Sequence, residues 1–354
     1  MPLTINPKDY DVVVGIDVDH KSYATTYLNH DHQGRSLKMP AHPESLCHYF
    51  QKRFPSQRLL YVYEAGPTGY GLYDYLVSRG QNCMMVHPAA IPSAPNHCVK
   101  TNRIDSQKIA EHAKSGTLKG IRVPTEPYRE LRHLAGLRQQ YAQDHRRAKQ
   151  RIRALLLFES IQLPEWVGSR PWTSRYRQAL HQVKLKETLR FKLDLLLKDW
   201  DHARDRLLLI HHQIRHFCSR EEAVHRNLIF LRSLPGFGFV VSTHLLARIG
   251  DPVQLTNIRE LGAFCGLVPS EHSTGDHIHK GSITHMGDST LRSLLVEAAW
   301  VAIRKDTGLA AFFHRIRSKH RGEQGARIAI VAVARKLTHR VYRVLKEQRP
   351  YMIH

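Results

Sequence analysis

Val12-Val13-Val14-Gly15-Ile16-Asp17, near the N-terminus, and Tyr61-Val62-Tyr63-Glu64, further along, are short apolar runs that each end on a carboxylate. Runs of this length, rich in β-branched and aromatic residues, predict buried strands. A third acid, Asp105, opens a later helical stretch. Any one acid at a strand end is unremarkable. Three of them on separate elements of a basic chain predict a site for a divalent cation, because hard oxygen ligands suit Mg²⁺ while surrounding cations hold phosphates.

Working outward, residues 10–18 read as the first strand, Asp19-His20-Lys21 as a turn, and Ser22 to Leu28 as an alternating second strand. His32-Gln33-Gly34 turns into a third. A helix opened by Pro43-Glu44 follows, then the strand from Arg58 to Glu64, a Gly66-Pro67-Thr68-Gly69 bend, a helix to Arg79, a strand from Cys83 to Val86, and a helix from about Ile104 to Ser115. The order βββαβαβα is that of an RNase H or RuvC-like α/β fold, a mixed sheet with helices. Such a sheet sets the strand-end residues of its central strands side by side.

The chain has 354 residues, enough for two or three domains, and 53 Lys+Arg against 31 Asp+Glu give a net charge of +22. That excess predicts a polyanionic partner. A basic membrane-surface protein is the alternative, but no amphipathic anchor or lipidation signal supports it. MPLTINPKDY lacks the basic and apolar regions of a signal peptide, and no apolar run reaches the roughly 18 residues needed to span a bilayer, so no membrane partner and a cytoplasmic location are expected. Five cysteines without a CxxC pair predict reduced thiols rather than a disulfide framework or a thiolate zinc site.

From Pro127 to about Ser160 the pattern turns helical, with Leu131, Leu134, Leu137, Tyr141 and Ile152 recurring at threes and fours. Between Tyr128 and Arg153 lie eight Lys/Arg (Arg129, Arg132, Arg138, Arg146, Arg147, Lys149, Arg151, Arg153) against Glu130 and Asp144. That imbalance predicts a helix facing nucleic acid. A second long helix, roughly Leu185 to Phe217, has more balanced charge and reads as a helical-hairpin or coiled-coil partner.

Leu234-Pro235-Gly236-Phe237-Gly238 between helical stretches resembles a helix-hairpin-helix element, whose turn can face a phosphate. A loop and hairpin around Ser270 to Gly275 follow, and then helices from Asp288 to Arg304 and from Arg327 to Lys346. On spacing alone Ser273 reads as an ordinary turn serine, no Ser-His-Asp order is visible, and His277 with His279 lacks the accompanying motif of a metal site.

Taken together, Gly15-Ile16-Asp17, Tyr63-Glu64-Ala65-Gly66, Lys100-Thr101-Asn102-Arg103-Ile104-Asp105, Leu234 to Gly238, Gly266-Leu267-Val268-Pro269 with Ser273-Thr274-Gly275, and Gly287-Asp288 before Leu291-Arg292 resemble the transposases of the insertion-sequence 110 family, particularly its 1111 subgroup. The resemblance implies a RuvC-like acidic domain (1–122), a helical coiled-coil linker that dimerises (123–228), and a mainly helical transposase domain with a nucleophilic serine (229–354). By position Asp17, Glu64 and Asp105 fill the first, second and fourth acidic places, and Asn102 stands at the third. An amide oxygen there can ligate Mg²⁺ or Mn²⁺ but brings no charge. Ser273 matches the nucleophile, with Thr274 and Ser270 as alternatives.

Members of that family resemble site-specific recombinases guided by a structured bridge RNA, cutting donor and target DNA through a covalent phosphoserine link. The expected partners are those nucleic acids and further copies of the chain, a homodimer assembling to a homotetramer, in a bacterial cytoplasm and on the nucleoid when active. Delegating specificity to base pairing leaves the protein to grip backbones, which needs many cations but no recognition helix, and neither zinc-finger spacing nor an RNP1 motif is present. The expected contacts are Lys100, Arg103, Arg146, Arg147, Arg151, Arg153, Lys280 and Arg292. Two other readings fit the residues: a resolvase-like nuclease that uses the acidic set and water, and a non-catalytic RNA or DNA scaffold.

Overall fold

The Val12 run folds as β1 (Val12–Val18), the central strand of a five-stranded sheet in a computed structural model that describes residues 5–29, 34–92, 102–167, 171–271, 280–320 and 322–352. The chain divides into two units, residues 1–123 and 124–354. In the first, β2 (Ser22–Leu28), β3 (Gly34–Pro40), α1 (Pro43–Arg53), β4 (Leu59–Glu64), α2 (Gly71–Ser78), β5 (Asn82–Val86) and α3 (Asn102–Lys114) follow β1, reproducing the expected order. Across the sheet the strands run β3-β2-β1-β4-β5; the first three are antiparallel, and β1, β4 and β5 are parallel. This is the mixed α/β sheet of a RuvC-like domain.

Both faces of the sheet are covered, which is why β1 and β4 are apolar at nearly every position. Val12, Val14, Ile16, Tyr61 and Tyr63 pack with Leu46, Phe50 and Leu76 of α1 and α2. Val13, Leu60 and Val62 pack on the other side with Ile109 and Ala113 of α3.

The second unit is almost entirely helical. It contains α4 (Glu126–Phe158), α5 (Ser174–Gln182), α6 (Glu187–Arg220), α7 (Glu222–Arg232), α8 (Phe239–Ile249), α9 (Ile258–Phe264), a hairpin of β6 (Pro269–Glu271) and β7 (Lys280–Ile283), α10 (Ser289–Ala302), α11 (Thr307–Arg317) and α12 (Gly322–Glu347). The helices α4 and α6 lie antiparallel, since Arg138 bonds His211 and His145 bonds Trp200. Residues 124–354 make up this one unit. The reason is a shared core: Tyr128, Leu131 and Ala135 of α4 pack with Leu245, Leu246 and Leu337. The far part of the α4–α6 hairpin has a core of its own, around Ile152, Leu193, Leu197 and Trp200.

The helix-hairpin-helix-like element expected at Leu234 to Gly238 is formed by α7, a turn and α8. Gly236 has φ +84°, and a Cβ there would stand 2.2 Å from the Ala298 carbonyl oxygen, so only glycine lets the turn seat under α10. Leu234 and Phe237 are buried; Gly238, capping α8, is the exposed end of the motif.

Candidate active site at the acidic sheet edge

Side chains alternate along a strand, so residues two apart share a face. On β1 that rule places Gly15 and Asp17 with Val13, on the face covered by α3; on β4 it places Glu64 with Leu60 and Val62, on the same face. The two strands are parallel and in register, Gly15 beside Val62 and Ile16 beside Tyr63, so Asp17 and Glu64 end neighbouring strands at the same edge.

Gly15 sets where the third acid lies. A Cβ at this position would be 2.4 Å from the Ser106 carbonyl oxygen and 2.5 Å from the Ala110 nitrogen, so the backbone of α3 rests directly on the strand. Lys114 Nζ, at the other end of α3, donates to the Tyr10 carbonyl before β1. The helix thus runs antiparallel to β1, and its first turn, with Asn102 and Asp105, comes to the edge where Asp17 and Glu64 lie. A buried hydroxyl chain fixes the depth of that turn: Thr26 Oγ1 bonds both Ser36 and Ser106 at 2.9 Å, and Ser106 donates to the Arg103 carbonyl.

Asp17, Glu64 and Asp105 are all half-buried, and Asn102 and Arg103 are exposed on the first turn of α3. Asp17 already takes part in a polar interaction. Among the described residues no group of three or more His, Cys, Asp or Glu is drawn close enough to hold a metal ion. The backbone therefore aligns the acids on one edge and one face without closing their side chains into a ligand cluster. The positive end of the α3 dipole points at this edge and favours anionic groups there.

Two profiles of one family match this chain: the DEDD transposase profile covers residues 14–159, which include Asp17, Glu64 and Asp105, and the profile described as Transposase IS116/IS110/IS902 family covers residues 229–315. The chain belongs to the IS110 family of transposases. Over 253 residues it is 32% identical to the y4qE protein of Sinorhizobium fredii, an alignment that takes in 69% of this chain and 58% of that protein. It is 24% identical over 357 residues to the transposase for insertion sequence element IS1533 of Leptospira borgpetersenii, covering 96% of this chain and 97% of the relative. It is also 31% identical over 152 residues to the pilin gene-inverting protein of Moraxella bovis, covering 42% and 46%. The chain thus spans less than two thirds of two of these relatives and nearly all of the third.

The remaining positions that the IS110 motifs single out have varied surroundings. Lys100, Ser273 and Thr274 lie outside the described residues, as do His277 and His279; Lys280 starts β7, and its side chain is not described. Ser270 donates its hydroxyl to the Ser282 carbonyl across the hairpin at 3.0 Å. Arg292 is turned inward: Nη1 donates to the Cys265 and His285 carbonyls, 3.3 Å each, and ties the base of the β6–β7 hairpin to α9. Beside it, Asp288 caps α10 through the Leu291 amide and pairs with Arg248 at 3.0 Å.

The basic helix α4 does not present one uniform charged face. Arg132 donates to the Ala247 and Arg248 carbonyls at the end of α8, Arg129 donates to the Pro124 carbonyl, and Arg138 donates to His211. Arg147 and Arg151 stand near Asp144 and Asp199, at 3.6 and 3.9 Å, while Arg153 lies over the Trp172 ring. Three of the eight cations counted in the sequence therefore serve the fold. The acceptors of Arg132 and Arg138 come from segments too distant in sequence for composition to reveal them.

No helix among the described residues is long and apolar enough to cross a membrane. Cys47, Cys83, Cys218 and Cys265 are free and buried.

Proposed function

We propose that the chain is a DNA recombinase that moves an insertion sequence by cutting and exchanging strands of donor and target DNA. The observation that carries this reading is the convergence of Asp17, Glu64 and the first turn of α3 on one edge and face of the sheet. The donors available there, three carboxylates and the Asn102 amide, are all hard oxygens, the set that suits Mg²⁺ or Mn²⁺. A bound cation would stabilise charge on the oxygens of the phosphodiester under attack. Asp17, Glu64 and Asp105 would hold it, with Asn102 as a neutral auxiliary.

The nucleophile in this reading is the Ser273 hydroxyl. Its oxygen bonds to phosphorus as its proton leaves, and the displaced strand departs with the electron pair as a deoxyribose hydroxyl. A hydroxyl of the incoming strand then attacks the phosphoserine ester and releases the serine, so no oxidant or external energy source is needed. A structured RNA transcribed with the element would choose the sites by base pairing, in an assembly of several copies of the chain in the cytoplasm.

Trapping on a denaturing gel tests the chemistry. Ser273→Ala is expected to abolish a covalent protein–DNA adduct while nucleic acid binding survives. An undiminished adduct removes this serine, and cleavage without any adduct in the native protein favours a water-using nuclease. Sequencing RNA that co-purifies with the protein tests the guide: one dominant structured species is expected, and a random mixture would refute guidance.

A further inference from the structure

The basic side chains in the middle of α4 fall into two stripes that differ in their partners. Arg147 and Arg151 face α6 and lie near acids: Arg147 Nη1 is 3.6 Å from Asp144 and Arg151 Nη1 is 3.9 Å from Asp199. Arg146, Lys149 and Arg153, spaced i, i+3 and i+7, form a second stripe along the helix, away from the buried Ala148 and Leu155. Among the described residues no carboxylate pairs with any of these three. Lys149 Nζ and Arg153 Cζ instead lie 5.2 and 5.4 Å from the centre of the Trp172 ring.

Toward the N-terminus the second stripe continues through Gln143 and Gln139 into a groove shared with the first turn of α10. There Gln139 Nε2 donates to Thr290 Oγ1 at 2.7 Å, and Ser289, Ser293 and Arg146 line the same groove. From Gln139 to Arg153 the track is about 21 Å long at 1.5 Å per residue. It carries three cations without acidic partners at one end and neutral hydroxyl and amide groups at the other, a mixture that suits phosphate oxygens.

We infer that this stripe of α4, with the start of α10, is a docking surface for the backbone of duplex DNA, and that Arg146, Lys149 and Arg153 each take a phosphate. Duplex rather than single-stranded nucleic acid follows from Trp172. Its ring already has Lys149 and Arg153 over it and packs at a tilt and edge-on against Tyr176 and Trp200, with centroids 5.0 and 5.2 Å away, so it is engaged within the fold and is not presented as a platform for an unpaired base. A convex helix face, unlike a channel, suits a row of phosphates on a rigid duplex. The inference rests on the DNA-acting reading above and deepens it by separating the cations that grip from those that pair within the fold.

The test is binding of the full-length protein to a short duplex of arbitrary sequence in EDTA, across a salt series. Each phosphate contact at near-physiological salt contributes about 5-fold, so Arg146→Gln/Lys149→Gln/Arg153→Gln should weaken binding by roughly 100-fold and flatten the log–log salt slope by about 2.7. Arg147→Gln/Arg151→Gln should change affinity less than about 3-fold, and Asp144→Asn/Asp199→Asn, which frees those two arginines, should tighten binding. Arg146→Gln alone touches no aromatic ring and should lower the slope by about 0.9, so the idea stays testable if the triple variant folds poorly. A triple variant with native affinity and slope, or a paired-stripe variant that loses more, overturns the inference. Selective loss of duplex RNA instead of duplex DNA overturns the choice of occupant. Binding in EDTA requires no cleavage, so failure of the cleavage chemistry and failure of this surface would be told apart.

Discussion

Replacing Gly15 with alanine puts one methyl group where α3 crosses β1, and the structure sets the size of the effect. The new Cβ would lie 2.4 Å from the Ser106 carbonyl oxygen and 2.5 Å from the Ala110 nitrogen. Ordinary contact needs roughly 3.4 Å, so the first turns of α3 must withdraw by about 1 Å in an interior packed too densely to absorb it. Both obstructing atoms are backbone and cannot swing aside, which puts the overpacking near the upper end of its usual range, about 3 kcal/mol. The same shift stretches the 2.9 Å bond between Thr26 and Ser106 past hydrogen-bond distance; Thr26 keeps Ser36 and Ser106 keeps the Arg103 carbonyl, so this loss adds only about 0.5–1.5 kcal/mol. A total of about 3.5–4.5 kcal/mol is a large share of the stability of an ordinary domain. It should appear in the full-length protein as fast hydrogen exchange of the α3 amides and a lower urea midpoint. It should also abolish metal-dependent strand cleavage, because Asp105 moves away from Asp17 and Glu64, while DNA binding through α4 persists. Gly71→Ala, where a Cβ meets nothing within 4 Å, is the control and should be close to neutral. If Gly15→Ala unfolds and cleaves like the native protein, α3 does not bear on β1 as described and the acidic edge loses its basis.

Three other outcomes are expected. Glu64→Gln and Asp105→Asn should each reduce metal-dependent cleavage by about two orders of magnitude or more, whereas Glu111→Gln, exposed on α3, should leave it unchanged in the same gel assay. Asp306 is buried, with Oδ1 accepting from the Leu309 amide and Oδ2 from Arg340 and the Tyr351 hydroxyl; Asp306→Ala strands Arg340 and should cost about 3–5 kcal/mol by chemical denaturation. His244 is 2% exposed, and burial, reinforced by Arg138 and opposed by the Val240 carbonyl, pushes its pKa down to about 4. With the folded value below the unfolded one, its contribution is intact above about pH 6.5 and is lost as pH falls toward 4, in total about 3 kcal/mol. Thermal melts across that window should therefore fall more steeply for the native protein than for His244→Phe, and parallel curves would contradict the burial argument.

Much of the first unit could be read from the chain. The runs at β1 and β4 are too short and too continuously apolar for anything but buried strands, and alternation alone puts Asp17 on the face of Gly15 and Val13. The second unit was less legible. Its short helices α5, α7, α9 and α11, of 7 to 11 residues, are too short to stand out in the sequence, and packing sets their orientation: α7, α9 and α11 against the shared core around α12, and α5 against the core around Ile152 and Trp200. The charge count on α4 pointed to nucleic acid without separating Arg132, which caps α8, from Arg146, which has no acidic partner among the described residues. Nor did it separate Arg292, a strut at the hairpin base, from a surface cation.

By itself the sequence determined which segments become strands, which residues share a face and how strongly the protein is charged, since these follow from side-chain type and a period of two or three to four residues. Only the tertiary structure decided how closely α3 sits on Gly15 and which cations have acids beside them. Those outcomes depend on groups such as Asp199 and the Ala247 carbonyl, which reach α4 through folding and not through proximity along the chain.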